Sequence, residues 1–259
     1  MIFNSFYKHW TLILNKIYAN WPAPGNVNAF TTLRDRGFSK PPFHQNNLAL
    51  HVGDNSDDVI LNRQQLINDC NLTLEPAWLE QTHSNFCIHV EEESNRKADA
   101  AITRLPSQPL SILTADCLPI LLCNLEGDEV AAVHAGWRGL VNGVIENTIH
   151  KMQSSPSRLM AWIGPAICQS CFEVGDEVLQ IFQHHYPDSL QYFRPQGSKW
   201  HANLPKLAEQ VLNNSGVLAV YQSELCTFEQ KNDFYSYRRE SQTGRMATLI
   251  WFNKTNRNK

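Results

Sequence analysis

The stretch Leu110-Ser111-Ile112-Leu113-Thr114-Ala115-Asp116-Cys117-Leu118-Pro119-Ile120-Leu121-Leu122-Cys123, with Val130-Ala131-Ala132-Val133-His134-Ala135-Gly136-Trp137-Arg138-Gly139 after it, decides the fold. It holds three short apolar or β-branched runs, at residues 110–113, 119–123 and 130–134. Each is bounded by polar or glycine-bearing turns, the pattern of strands. Leu140, Val144, Ile145, Ile149 and Met152 then recur at helical spacing, which predicts a helix over residues 139–152. Working outward, residues 159–163 read as a buried strand ended by Gly164-Pro165, residues 173–184 and 204–213 as helices, and residues 246–252 as a closing strand. Upstream, residues 57–70 read as a helix with Val59, Leu66 and Ile67 on one face. Strands and helices mix without regular βαβ alternation. That predicts one α+β domain, with mixed β-sheets flanked by helices, and not a doubly wound sheet.

Trp21-Pro22-Ala23-Pro24-Gly25 reads as the start of the domain, which is expected to run from residue 21 to 253. Residues 1–20 read as an irregular or helical extension, and residues 254–259 as a disordered tail. Composition excludes whole classes. With 259 residues, 42% hydrophobic and 18% charged, the chain is neither disordered nor collagen-like. Lys+Arg 22 against Asp+Glu 25 gives a net charge of −3, which argues against nucleic acid or a membrane surface as partner. The apolar stretch at residues 10–14 is far too short to span a bilayer or to act as a secretory signal. Seven scattered cysteines, an odd number, do not form a disulfide framework, so a reducing cytoplasm is expected.

Three residues stand in similar contexts. His83 follows the apolar Trp78-Leu79, Cys117 ends one strand-like run, and His134 ends another. Polar groups at the ends of buried strands are held rigid by the sheet and exposed by the loops. His, Cys and His suit a zinc site that leaves a fourth position for water or substrate, and zinc-bound water has a pKa near 7. The same residue types also permit a Cys117 nucleophile with a histidine base, oriented by Asp116. Arg34 and Arg138 lie in glycine-containing loops and suit phosphate or carboxylate. Tyr235-Ser236-Tyr237-Arg238-Arg239 offers stacking faces beside donors, as a base or sugar pocket requires, although an edge strand with alternating aromatics has the same pattern. Cys168-Gln169-Ser170-Cys171 is a lone C-x-x-C, read as incidental because no second C-x-x-C and no thioredoxin-like unit accompany it.

At these residues the sequence resembles the YfiH-type laccase-domain family, also called the polyphenol oxidase or purine nucleoside phosphorylase family. The resemblance spans residues 21–252. It rests on Asn47-Leu48 with His51-Val52-Gly53-Asp54, Asn62-Arg63, Trp78-Leu79-Glu80-Gln81 with His83, and Ala98-Asp99-Ala100. Further along come Thr114-Ala115-Asp116-Cys117-Leu118-Pro119, His134-Ala135-Gly136-Trp137-Arg138-Gly139, Gly164-Pro165-Ala166-Ile167, Phe172-Glu173-Val174-Gly175, and Phe234-Tyr235-Ser236-Tyr237-Arg238-Arg239 with Thr243-Gly244-Arg245.

The resemblance implies a zinc-dependent purine nucleoside phosphorylase acting on adenosine, inosine and methylthioadenosine, with adenosine deaminase activity. Its metal ligands fall on His83, Cys117 and His134, with Asp116 beside them. Substrate contacts are expected from Arg34, Arg138, Tyr237 and Arg238, and Arg34 is expected to hold the attacking phosphate. A monomer or weak homodimer is expected. Alternatives are a cysteine-dependent amide hydrolase editing cell-wall precursors, a copper polyphenol oxidase, and a non-enzymatic module with structural zinc. None of the ten histidines forms an H-x-H pair, which weakens the copper reading. Three departures from the family pattern stand out: Arg36 at a glycine position, Cys168 where a glycine is common, and Asn203 in place of an Asp.

Overall fold

The computed structural model describes residues 14–254. In chain order the strands are β1 (Lys16–Tyr18), β2 (Val27–Thr32), β3 (Cys87–His89), β4 (Ala100–Thr103), β5 (Leu110–Thr114), β6 (Leu118–Asn124), β7 (Val130–Ala135), β8 (Leu159–Ile163), β9 (Glu173–Val174), β10 (Phe193–Gln196), β11 (Lys199–Ala202), β12 (Ala219–Gln222) and β13 (Met246–Phe252). The α-helices are α1 (Ser56–Asp69), α2 (Trp137–Val141), α3 (Val144–Lys151), α4 (Asp176–His185) and α5 (Leu204–Asn214). A six-stranded mixed sheet runs β12-β8-β6-β7-β4-β3, and a four-stranded sheet runs β1-β2-β13-β5. Strands β9 to β11 form a small third sheet, in the order β10-β11-β9.

The six-stranded sheet is covered on both faces, which is why its strands read as near-continuous apolar runs. Along β6 the side chains alternate. Leu118, Ile120 and Leu122 pack with residues of α2 to α5, while Leu121 and Cys123 pack with Leu110, Ile112, Ile250 and Phe252 of the other sheet. Helix α1 covers the outer face of the four-stranded sheet, where Leu66 packs with Phe30, Leu249 and Trp251. At about 25 cal/mol per Å² of apolar surface, each fully buried Leu or Ile contributes roughly 1.5–3 kcal/mol. The layers are therefore α1, four strands, six strands, then α2 to α5.

Several sequence expectations need correction. The helix expected over 139–152 is two helices, broken at Asn142-Gly143, where Gly143 takes a left-handed φ of +87°. The segment expected as a helix from residue 173 opens with β9, and α4 starts only at Asp176. Residues 14–20 belong to the fold and not to an extension. Leu14 is buried, and β1 pairs antiparallel with β2. Residues 1–13 and 255–259 lie outside the described residues. Two of the departures have local explanations. Arg36 adopts a left-handed φ of +61°, the conformation a glycine would take there. Asn203 Oδ1 accepts from Lys206 N at 3.1 Å and so caps α5, the task an aspartate performs. Among the described residues no helix is long and apolar enough to cross a membrane.

Candidate metal centre and its pocket

Strand register alone brings the central residues together. Ala100 pairs with Val133, which sets Asp99 opposite His134, and Leu118 pairs with Ala135, which sets Cys117 at the same rim. Cys117 lies in the turn by which the chain leaves the four-stranded sheet at β5 and enters the six-stranded sheet at β6. The loop before β3 supplies His83. Gln81 fixes that loop, because its side-chain amide pairs with both the N–H and the C=O of Leu113, each at 2.8 Å.

The ligand atoms of His83, Cys117 and His134 lie within 4.8 Å of one another. Cys117 Sγ is 3.7 Å from His83 Nε2, and the two imidazoles meet edge to face with centroids 4.8 Å apart. Gly136, the cap of α2, keeps this space open. A Cβ on it would stand 2.7 Å from His83 Cδ2 and 3.1 Å from Cys117 Sγ. Gly136→Ala is therefore expected to disturb the cluster without straining the backbone, since its φ of −59° suits any residue. Metal affinity should fall at least tenfold at nearly unchanged melting temperature, to be read by competition with a chromophoric chelator. Wild-type affinity in this variant would mean that the three ligands are not held as described.

Asp99, fully buried, organises the centre. Its Oδ1 accepts from His134 Nδ1 at 2.8 Å and from His83 N at 3.0 Å. Its Oδ2 accepts from Thr82 N, Ser84 N and Ser84 Oγ at 3.1, 2.6 and 2.7 Å. Burial opposes ionisation of this carboxyl, but the hydrogen bonds from His134 and Ser84 outweigh it and hold the pKa at about 2. An ionised carboxylate only accepts, so His134 Nδ1 carries a proton. Burial opposes the charge of this imidazole, but the Asp99 and Cys117 contacts overcome it and raise the pKa to about 9. Nε2 is the atom that would ligate a metal on giving up its own proton. Burial also disfavours the Cys117 thiolate. The hydrogen bond and charge of His134, then those of His83, reverse that and bring the thiol down to about 6. His83 itself sits at a left-handed φ of +60°, conformational strain held by the Asp99 contacts.

A cavity of about 520 Å³ opens above the cluster, a size suited to a small organic ligand. Arg138, Arg238, Tyr237, Trp137, Phe172, His51 and Arg245 also line it. Tyr237 is 57% exposed, Arg138 stacks on Trp137 at 4.3 Å, and Arg238 stacks on Phe172 at 5.3 Å. Burial, then the neighbouring cations Arg245 and Arg63, lower the pKa of His51 and favour its neutral form.

Two expected site residues stand elsewhere. Arg34 is not in this cavity. Its guanidinium stacks on the buried Tyr235 ring at 5.0 Å, donates to Lys231 O at 2.7 Å, and is 8% exposed. Asp116 orients no imidazole. Although Asp116 borders the cavity, its carboxylate accepts from Thr227 Oγ1, Ser236 Oγ and Arg238 N and anchors the loop that carries Tyr237. The orienting carboxylate is Asp99, and Arg245, which the sequence offers only within the Thr243-Gly244-Arg245 motif and with no role, is a further cavity residue.

Residues 28–253 match the family described as multi-copper polyphenol oxidoreductase laccase. The chain belongs to this family. Within the laccase-like family it is 43% identical over 243 residues to a Haemophilus influenzae protein named purine nucleoside phosphorylase, covering 92% of this chain and 100% of that one. It is 42% identical to the Escherichia coli protein named purine nucleoside phosphorylase YfiH, covering 91% and 98% of the two chains. A crystal structure of a Neisseria meningitidis protein superposes with a TM-score of 0.89 at 40% identity, covering 93% of this chain and 100% of that one. The fold of the family is thus the mixed α+β arrangement described above.

Proposed function

We propose that the protein is a zinc-dependent purine nucleoside phosphorylase, taking adenosine, inosine or methylthioadenosine with phosphate, and that the same pocket deaminates adenosine. The convergence of His83, Cys117 and His134 at the floor of an arginine- and aromatic-lined cavity carries this reading. The names of the relatives support the phosphorylase part.

The donor set fits zinc. It offers two imidazoles and a thiolate, the cluster has only these three ligands among the described residues, and a fourth position is left open. When bound, zinc supplies a Lewis acid and acidifies water at neutral pH. The chain's own groups do the remaining work. Asp99 fixes the His134 tautomer, and the aromatic rings of Tyr237, Phe172 and Trp137 offer faces for a purine. In phosphorolysis a phosphate oxygen bonds to the anomeric carbon as the C–N bond breaks, and its electron pair leaves with the purine. The phosphate must then be held in line. Copper is the competing metal, since two imidazoles and a thiolate also suit it and the family's description names it, and elemental analysis distinguishes the two.

Elemental analysis with assays of base and ammonia release tests the reading. Base release that requires phosphate, and ammonia release that does not, are the expected results. Activity that survives chelation but dies on alkylation of Cys117 would instead identify a thiol hydrolase.

Arg138 is the phosphate residue in this reading. Its guanidinium stacks on Trp137 and makes no hydrogen bond or ion pair with the described residues, so its N–H groups are available. Arg138→Ala should raise the phosphate requirement by about one to two orders of magnitude, the worth of a charge-assisted pair, with little change in nucleoside KM. Arg34→Ala, by contrast, should lower stability and leave the phosphate requirement alone. The reverse outcome would return the phosphate to Arg34.

A further inference from the structure

A second constellation of ligand atoms lies among residues that the proposed chemistry does not use. Cys168 caps and Cys171 ends the short 3-10 turn Gln169–Cys171, and Cys226 and Glu229 stand three residues apart in the segment after β12. The three sulfurs and a Glu229 carboxylate oxygen all lie within 4.8 Å of one another. The two segments are far apart in sequence, yet the backbone clamps them together. Ala166 bridges Cys226 in a parallel pair, with Ala166 N donating to Leu225 O at 3.2 Å and Thr227 N to Ala166 O at 3.1 Å.

We propose that Cys168, Cys171, Cys226 and Glu229 form a second metal site, a closed structural zinc site separate from His83, Cys117 and His134. Four protein ligands, three thiolates and one carboxylate, make the complete tetrahedral shell that structural zinc takes. With Zn–S bonds of about 2.3 Å, tetrahedral sulfurs stand roughly 3.8 Å apart, so ligands already within 4.8 Å need only contract slightly. All three cysteines are free thiols. Cys168 N donates to Cys226 Sγ at 3.3 Å, the outer contact that steadies a ligating thiolate. Arg239 braces the loop between Cys226 and Glu229 from outside. Its Nη1 donates to Thr227 O and Phe228 O at 2.8 and 2.9 Å, beside the ligand loop.

The site would fasten the pocket wall. Ile167 and Phe172, next to the cysteine pair, line the large cavity, and Thr227, next to Cys226, holds the Asp116 carboxylate. This inference does not depend on the phosphorylase reading, because it concerns metal content alone.

The test is zinc stoichiometry on the purified full chain, loaded with zinc and dialysed under reducing conditions. The expected result is two zinc ions per chain in the wild type, one in Cys117→Ala, one in Cys168→Ser/Cys171→Ser, and none when all three changes are combined. Cobalt(II) added to Cys117→Ala should give the thiolate charge-transfer absorption of a multi-sulfur site, weakened by Cys226→Ser. Glu229→Gln changes an exposed residue and does not threaten folding. It should weaken zinc binding in the Cys117→Ala background at least tenfold, since even the outer partners of a ligand are worth that much. A Cys117→Ala chain that retains no zinc, an undiminished zinc count in Cys168→Ser/Cys171→Ser, or a disulfide within this cluster in the reduced protein would overturn the proposal.

Discussion

Cys117→Ala is expected to abolish nucleoside cleavage and to empty the centre at His83 and His134. The sulfur is the one anionic donor of the set, drawn toward the thiolate by the two imidazoles that flank it. Without it two imidazoles remain, too few to retain zinc against dialysis. Loss of a Lewis acid worth several kcal/mol to the transition state corresponds to a rate decrease of about a thousandfold or more. Folding should survive, because a half-buried sulfur at a cavity wall is removed and no core packing is lost. Cys117→Ser should fare no better, since a hydroxyl does not ionise near neutral pH. Measured in the Cys168→Ser/Cys171→Ser background, zinc should fall from one equivalent to none together with activity. Full activity with the zinc gone would place the chemistry elsewhere in the pocket.

Cys117 and His134 were legible because each ends a strand-like run, where a sheet presents chemistry, and His83 because it follows the apolar Trp78-Leu79 in a polar loop. Their junction was not, since it depends on β4, β6 and β7 pairing in one register. The strands from β5 to β8 and β13 could be read because sheets buried on both faces leave unbroken apolar runs. By contrast β1 and β9 are short and half-buried, with no comparable run. The role of Asp99, which the sequence offers only within the motif Ala98-Asp99-Ala100, was hidden for a physical reason. One acidic residue between Ala98 and Ala100 looks like a strand-end polar residue, and only the structure shows it meeting five donors. A lone carboxylate inside a run of small apolar residues was the available signal. Arg34 misled in the opposite way. Sequence records a charged residue in a polar loop, but not that Tyr235, 201 residues later, turns the guanidinium inward. The lone C-x-x-C likewise looked incomplete, because its other two donors lie beyond β12.

Asp99→Asn tests whether the centre is positioned from behind. The two carboxylate oxygens serve different clients: Oδ1 takes His134 Nδ1 and His83 N, while Oδ2 takes Thr82 N and both donors of Ser84. An asparagine keeps one acceptor and replaces the other with an NH₂, so in either orientation one set of donors meets a donor. Two or three donors then lose their acceptor, only His134 Nδ1 among them being buried, and the total loss of stability should be roughly 1–3 kcal/mol. The ligand-orienting role predicts a second effect that lost stability alone would not produce. Zinc affinity at the centre, measured well below the melting temperature, should drop by about 10- to 100-fold, with kcat falling and nucleoside KM nearly unchanged. Asp116→Asn is the control, for its carboxylate holds the 236–238 loop and touches neither imidazole. It should raise nucleoside KM and leave zinc affinity intact. If Asp99→Asn keeps wild-type zinc affinity, or if Asp116→Asn weakens it as much, the carboxylate behind His134 is not what sets the geometry of the metal ligands.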